Sequence, residues 1–106
     1  MADGFVPPQG VQSNARRGLE LRREFNRGGT EVGIARARQI VANEELSDKD
    51  ILDMYSFFAR HEVDKTAEGF KPGEDGYPSN GRIAWSLWGG DAGYEFAKRE
   101  RDKIKD

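Results

Sequence analysis

A chain of 106 residues has the length of one domain. Hydrophobic residues make up 36% and charged residues 34%, so the core has to be small, and six Phe, three Tyr and two Trp make it aromatic-rich. The absence of cysteine excludes disulfides, thiolate–zinc sites and thiol catalysis, and a net charge of −2 gives no overall drive toward nucleic acid.

The apolar residues recur at helical spacing, which argues against disorder. Residues 1–42 carry seven arginines against four acids, whereas residues 43–76 carry ten acids against four bases. Such a dipolar chain suits docking on a larger assembly, although charge runs are also ordinary on solvated helices. The opening Met1-Ala-Asp-Gly-Phe-Val-Pro-Pro8 lacks the basic start and apolar run of a secretory leader. No apolar stretch approaches membrane-spanning length, so no membrane partner is expected.

Residues 1–9, with Pro7 and Pro8, read as an extended arm that Phe5 and Val6 pin to a neighbouring surface. A first helix starts between Pro8 and Val11, with Val11, Ala15, Leu19 and Phe25 on one stripe, and ends at Asn26-Arg-Gly-Gly29. Thr30 caps a second helix over Glu31–Ala42, whose apolar face is Val32, Ala35, Ile40 and Val41. Ser47-Asp-Lys-Asp50 matches a capping box, with Asp50 replacing the usual Glu or Gln, and Leu46 and Ile51 fit a hydrophobic staple. The third helix then runs from Asp48 to Val63, its aromatic face forming the centre of the core.

Asp64–Pro78 reads as a long glycine-rich loop anchored by Phe70 and Tyr77. Ser79 caps a fourth helix through Trp88, and Gly89-Gly90 stops it. Asp91 caps a fifth helix that continues into a tail of mixed charge. The expected fold is therefore mainly α: one small bundle of four to five short helices, with an extended arm over 1–9. The helical domain covers 10–97 and a charged helical tail covers 98–106.

Few residues invite chemistry. His61 is the only histidine, and with Asp64 and Lys65 it forms a candidate polar site. A metal reading would add Glu62, and an acid–base reading would pair His61 with an acid that sets its tautomer. A histidine that simply closes a helix end is favoured over both, so no metal and no cofactor are expected. Gly69-Phe-Lys-Pro-Gly-Glu-Asp-Gly76 fits neither a Walker loop nor a dinucleotide fingerprint, and its two acids repel phosphate. Trp85 and Trp88, three apart, belong to the core before they belong to a base-stacking surface. Arg16, Arg17, Arg22, Arg23, Arg27, Arg36 and Arg38 could form a contact face for a partner protein or for nucleic acid, interrupted by Glu20, Glu24 and Glu31. No nucleophile elbow or dense carboxylate cluster points to an enzyme.

Four segments carry a resemblance: Asn14–Arg23, Gly28–Arg38, Ser56-Phe-Phe-Ala-Arg-His-Glu-Val-Asp-Lys65, and Gly76-Tyr-Pro-Ser-Asn-Gly-Arg-Ile-Ala-Trp-Ser-Leu-Trp-Gly-Gly-Asp-Ala-Gly93. Over most of residues 7–97 the chain resembles a small domain encoded in tailed-bacteriophage genomes. That domain occurs alone or attached to head-morphogenesis proteins such as prohead proteases. The resemblance implies a context and no catalytic residues. It makes a non-enzymatic virion or assembly protein the leading expectation: an accessory subunit on capsid, connector or tail, with other virion proteins as partners and an oligomeric setting. Its location would be the virion, or the cytoplasm of an infected bacterial host. The alternative is a small nucleic-acid-binding accessory protein that uses the arginine face.

Overall fold

The computed structural model describes residues 4–105, so Met1–Asp3 of the expected arm and Asp106 of the expected tail lie outside the described residues. The protein is mainly helical. The five α-helices among the described residues are α1 (Gln9–Phe25), α2 (Glu31–Val41), α3 (Asp48–His61), α4 (Asn80–Leu87) and α5 (Gly90–Lys105). A 3-10 turn, Glu62–Thr66, follows α3 directly.

The helix starts follow from the capping residues. Thr30 Oγ1 accepts the Gly33 amide, and Ser79 Oγ accepts the Arg82 amide. In the capping box the Asp50 amide donates to Ser47 Oγ at 3.1 Å, while the Ser47 amide donates to Asp50 Oδ2 at 3.0 Å. Asp50 is one methylene shorter than Glu and still closes the box. Leu46 and Ile51, the staple pair, are both fully buried.

α1 is the spine: it lies against α2, α4 and α5, while α3 packs chiefly on α5. Its approach to α4 requires glycine, because a β-carbon at Gly18 would stand 2.5 Å from the Leu87 backbone nitrogen. At the core's centre Trp85 is enclosed by Phe58, Phe70 and Tyr94. Its ring centroid lies 4.8 Å, 6.0 Å and 5.9 Å from theirs, all edge-on. Burial of each large side chain stabilises the fold by about 1.5–3 kcal/mol, and an edge-on pair adds about 0.5–1.5 kcal/mol.

Several expectations are corrected. The arm is pinned by Phe5, which forms a two-bond antiparallel bridge with Leu46, and by the fully buried Pro7, whereas Val6 is exposed and takes no part. On α1, Gly18 and Leu21 are buried beside Val11 and Ala15, while Phe25 is exposed, with the Arg27 guanidinium 5.7 Å from its ring. On α2 the inward face is Gly33, Arg36, Ala37 and Ile40, and Val32 is 62% exposed. Gly33 decides this: with no side chain there, the Trp88 indole lies against α2 at that point and Arg36 stacks over it, 5.6 Å from the ring. α3 ends at His61 rather than Val63, and the 3-10 turn takes up residues 62–66.

Asp91 is not the cap of α5. It lies in the first turn and accepts the Trp85 indole N–H at 2.9 Å. The glycine-rich loop is closed internally, since the Glu74 carboxylate accepts the Gly69 and Lys71 amides at 3.0 and 3.1 Å. The Lys71 amide, above all, holds that carboxyl below its ordinary value.

Candidate functional site

Three segments distant in sequence enclose a cleft of about 640 Å³. The first wall is Gly28–Thr30 of the turn between α1 and α2, with Val32 at the start of α2. Gly28 and Gly29 have φ of 87° and 78°, which lets the chain reverse within two residues and seats the turn against Ile83 and Leu87 of α4. The second wall is the face of α3 carrying Asp53, Phe57, Arg60 and His61, spaced three and four apart. The third is α4, through Asn80, Gly81 and Ala84, with Trp88 at its C-terminal cap.

Three rings stack in sequence across the floor. Trp88 and Phe57 lie 4.7 Å apart at 10°, and Phe57 and His61 lie 4.5 Å apart at 27°. The ladder runs from the buried indole outward to His61. The His61 Nδ1 is 3.1 Å from Asp64 Oδ2. A proton shared with the carboxylate sits on Nδ1 and leaves Nε2 as the unengaged ring nitrogen. Asp64 is placed in turn by α4: its Oδ2 would stand 3.0 Å from a β-carbon at Gly81, in the helix's first turn, where a negative charge is favoured.

The charges of the lining are unevenly compensated. Asp53 receives Lys49 Nζ at 2.9 Å and lies 3.8 Å from the Arg36 guanidinium, and Asp64 has His61. The exposed guanidinium of Arg60 has no ion pair among the described residues.

The expected polar trio is divided. His61 and Asp64 meet and line the cleft; Lys65 turns away, its Nζ 3.1 Å from Asp91 and 5.3 Å from the Trp85 ring. Burial alone would raise the Asp91 carboxyl, but hydrogen bonds from Lys65 and the Trp85 indole bring it below its ordinary value. Lys65 is thus a tie between the 3-10 turn and α5.

The arginine face is also divided. Arg36 is 8% exposed and is taken up by Asp50 at 2.9 Å, Gln39 at 2.7 Å and the Trp88 ring, so it is corrected from contact residue to core residue. Arg22 is half-buried and lies 3.4 Å from Asn26 Oδ1. Arg27 donates to the Pro78 carbonyl at 2.8 Å, and Arg17 pairs with Glu20 at 3.3 Å. Arg16, Arg23 and Arg38 are exposed and have no ion pair among the described residues. Arg16 and Arg23, two turns apart, share the outer face of α1.

Sequence reasoning missed the contribution of Gly28–Val32, Asp53, Ser56, Arg60 and Asn80 to the cleft. The one local hint was Gly28-Gly29 followed by the Thr30 cap. Among the described residues no group of three or more His, Asp or Glu side chains converges, and no helix is long and apolar enough to cross a membrane. No family model, curated protein or solved structure matches the chain.

Proposed function

We propose that this chain is a non-enzymatic accessory or assembly protein of a tailed-bacteriophage particle, docking on capsid, connector or tail through the outer faces of α1 and α2. Its place of action is then the particle, or the cytoplasm of the infected host during assembly. The resemblance of the four segments supports the context. One structural observation supports the mode of contact: Arg16 and Arg23 stay exposed on α1, which also exposes Glu20 and Glu24, and Arg38 stays exposed on α2, which also exposes Glu31, so both helices present mixed sign.

Guanidinium forks on such a surface suit carboxylates of a partner protein, with the interleaved glutamates answered by partner bases. Duplex nucleic acid is served less well. Three cations neutralise about three phosphates, whereas a tight duplex binder engages about six to ten, and the glutamates repel the backbone. The test is mass spectrometry of purified particles. Peptides of this chain at a fixed ratio to the major capsid protein are expected. Absence from particles, with the protein abundant in infected cells, contradicts the proposal.

A further inference from the structure

The ring ladder ends on a face that neither the core nor the docking surface uses. His61 has Phe57 against one side of its imidazole, and among the described residues no other ring stacks on it. Its side chain is 40% exposed. Phe57 and Trp88 behind it are buried, so the platform is rigid and costs little ordering when a ligand arrives.

The cleft that His61, Phe57 and Trp88 line has the volume of a small-molecule site. Asp53 is paired with Lys49 and Arg36, and Asp64 is hydrogen-bonded to His61, so Arg60 is the lining cation with no ion pair among the described residues. Asn80 stands on the α4 wall and carries both a donor and an acceptor. A flat ring, an anion and a hydrogen-bonding edge are thus matched by an open aromatic face, a guanidinium and a carboxamide.

We propose that the cleft binds a nucleobase together with its phosphate. The base extends the Trp88–Phe57–His61 ladder by one ring, and the phosphate pairs with Arg60. Asp64 is a positioning residue: it holds Nδ1 and thereby the plane on which the base rests. A free nucleotide and a nucleotide within a single strand share this chemistry. The inference stands apart from the docking reading, because it uses none of Arg16, Arg23 or Arg38.

The experiment is an amide-resolved NMR titration of the full chain with 5′-AMP, adenosine, inorganic phosphate and a short single-stranded oligodeoxyadenylate. Saturable shifts are expected at Gly28–Val32 and Ser56–Asp64 with 5′-AMP, at lower concentration than with adenosine or phosphate alone. His61→Ala is expected to weaken 5′-AMP about tenfold, the worth of one base–aromatic stack. His61→Phe restores the ring and most of the affinity, and it also serves if the alanine variant fails to fold. Arg60→Gln brings 5′-AMP down to the affinity of adenosine. Tighter binding of the strand than of 5′-AMP identifies a single strand as the source; equal or weaker binding identifies the free nucleotide. The proposal is overturned if neither 5′-AMP nor the oligodeoxyadenylate shifts these residues, if phosphate alone matches 5′-AMP, or if removing the His61 ring leaves the affinity unchanged.

Discussion

Arg36 and Asp50 form an ion pair at 2.9 Å that links the middle of α2 to the first turn of α3. The same carboxylate closes the α3 capping box, and the same guanidinium lies over Trp88. Replacing Arg36 by Leu therefore removes a counterion, a hydrogen-bond donor and an aromatic contact together. Loss of one partner from a buried pair costs about 3–5 kcal/mol. Asp50 keeps some access to water, which places the expected loss below that range, at about 2–3 kcal/mol. Urea denaturation measures it, and a change within about 0.5 kcal/mol, the range of ordinary surface substitutions, contradicts it.

Acid should destabilise the fold through two identified carboxylates. Burial raises Asp50, but the Ser47 amide and Arg36 outweigh it; burial raises Asp91, but Lys65 and Trp85 outweigh it. Both folded groups titrate below the ordinary value of 3.8. Their stabilisation is therefore complete above that value and is lost as pH falls through the depressed folded values. The Asp50→Asn/Asp91→Asn double variant should be less stable at neutral pH and show a flatter acid limb. Thermal melts from about pH 6 to about pH 2 test this, and parallel curves for the two proteins contradict it.

Gly18→Ala sets helix propensity against packing. Within α1 alanine should gain about 1 kcal/mol. Here its β-carbon meets the Leu87 backbone nitrogen and α-carbon at 2.5 and 2.8 Å, and backbone cannot rotate aside as a side chain does. Overpacking costs about 1–3 kcal/mol and more where backbone must shift. A lower melting temperature is the expected result, and a higher one would show that α1 and α4 can separate freely.

Ser86→Ala should act in the opposite direction. Ser86 is fully buried in α4 and its hydroxyl has no hydrogen-bond partner among the described residues. Removing an unpaired buried hydroxyl relieves a desolvation penalty of about 1–3 kcal/mol and leaves only a small void. Unchanged or increased stability in calorimetry is expected, and a clear loss would mean that the hydroxyl is bonded in solution.

What the sequence revealed and what it hid divide along sequence distance. Ser47 with Asp50, Thr30 and Ser79 announced three helix starts, because a cap is decided within four residues. Phe58 and Trp85 were legible as core from their spacing. α2 was half legible: Ile40 is buried and Val41 packs on the core, but Val32 and Ala35 are exposed. The rest of its inward face is chosen by Gly33 and Arg36 meeting Trp88, more than fifty residues away. Asp91 looked like a cap because it follows two glycines, yet its carboxylate was claimed by Trp85 and Lys65. The cleft was invisible for the same reason: its walls come from residues 28–32, 53–64 and 80–88, and no local pattern joins them.

The most direct measurement of the docking account is incorporation of the Arg16→Glu/Arg23→Glu/Arg38→Glu variant into particles, quantified by mass spectrometry against the major capsid protein. All three side chains are exposed and outside the core, so the purified variant should melt within a few degrees of the unmodified protein. The account predicts that the folded variant is depleted from particles about tenfold or more, the equivalent of about 1.4 kcal/mol of lost docking energy. Retention at the unmodified protein's copy number would contradict it.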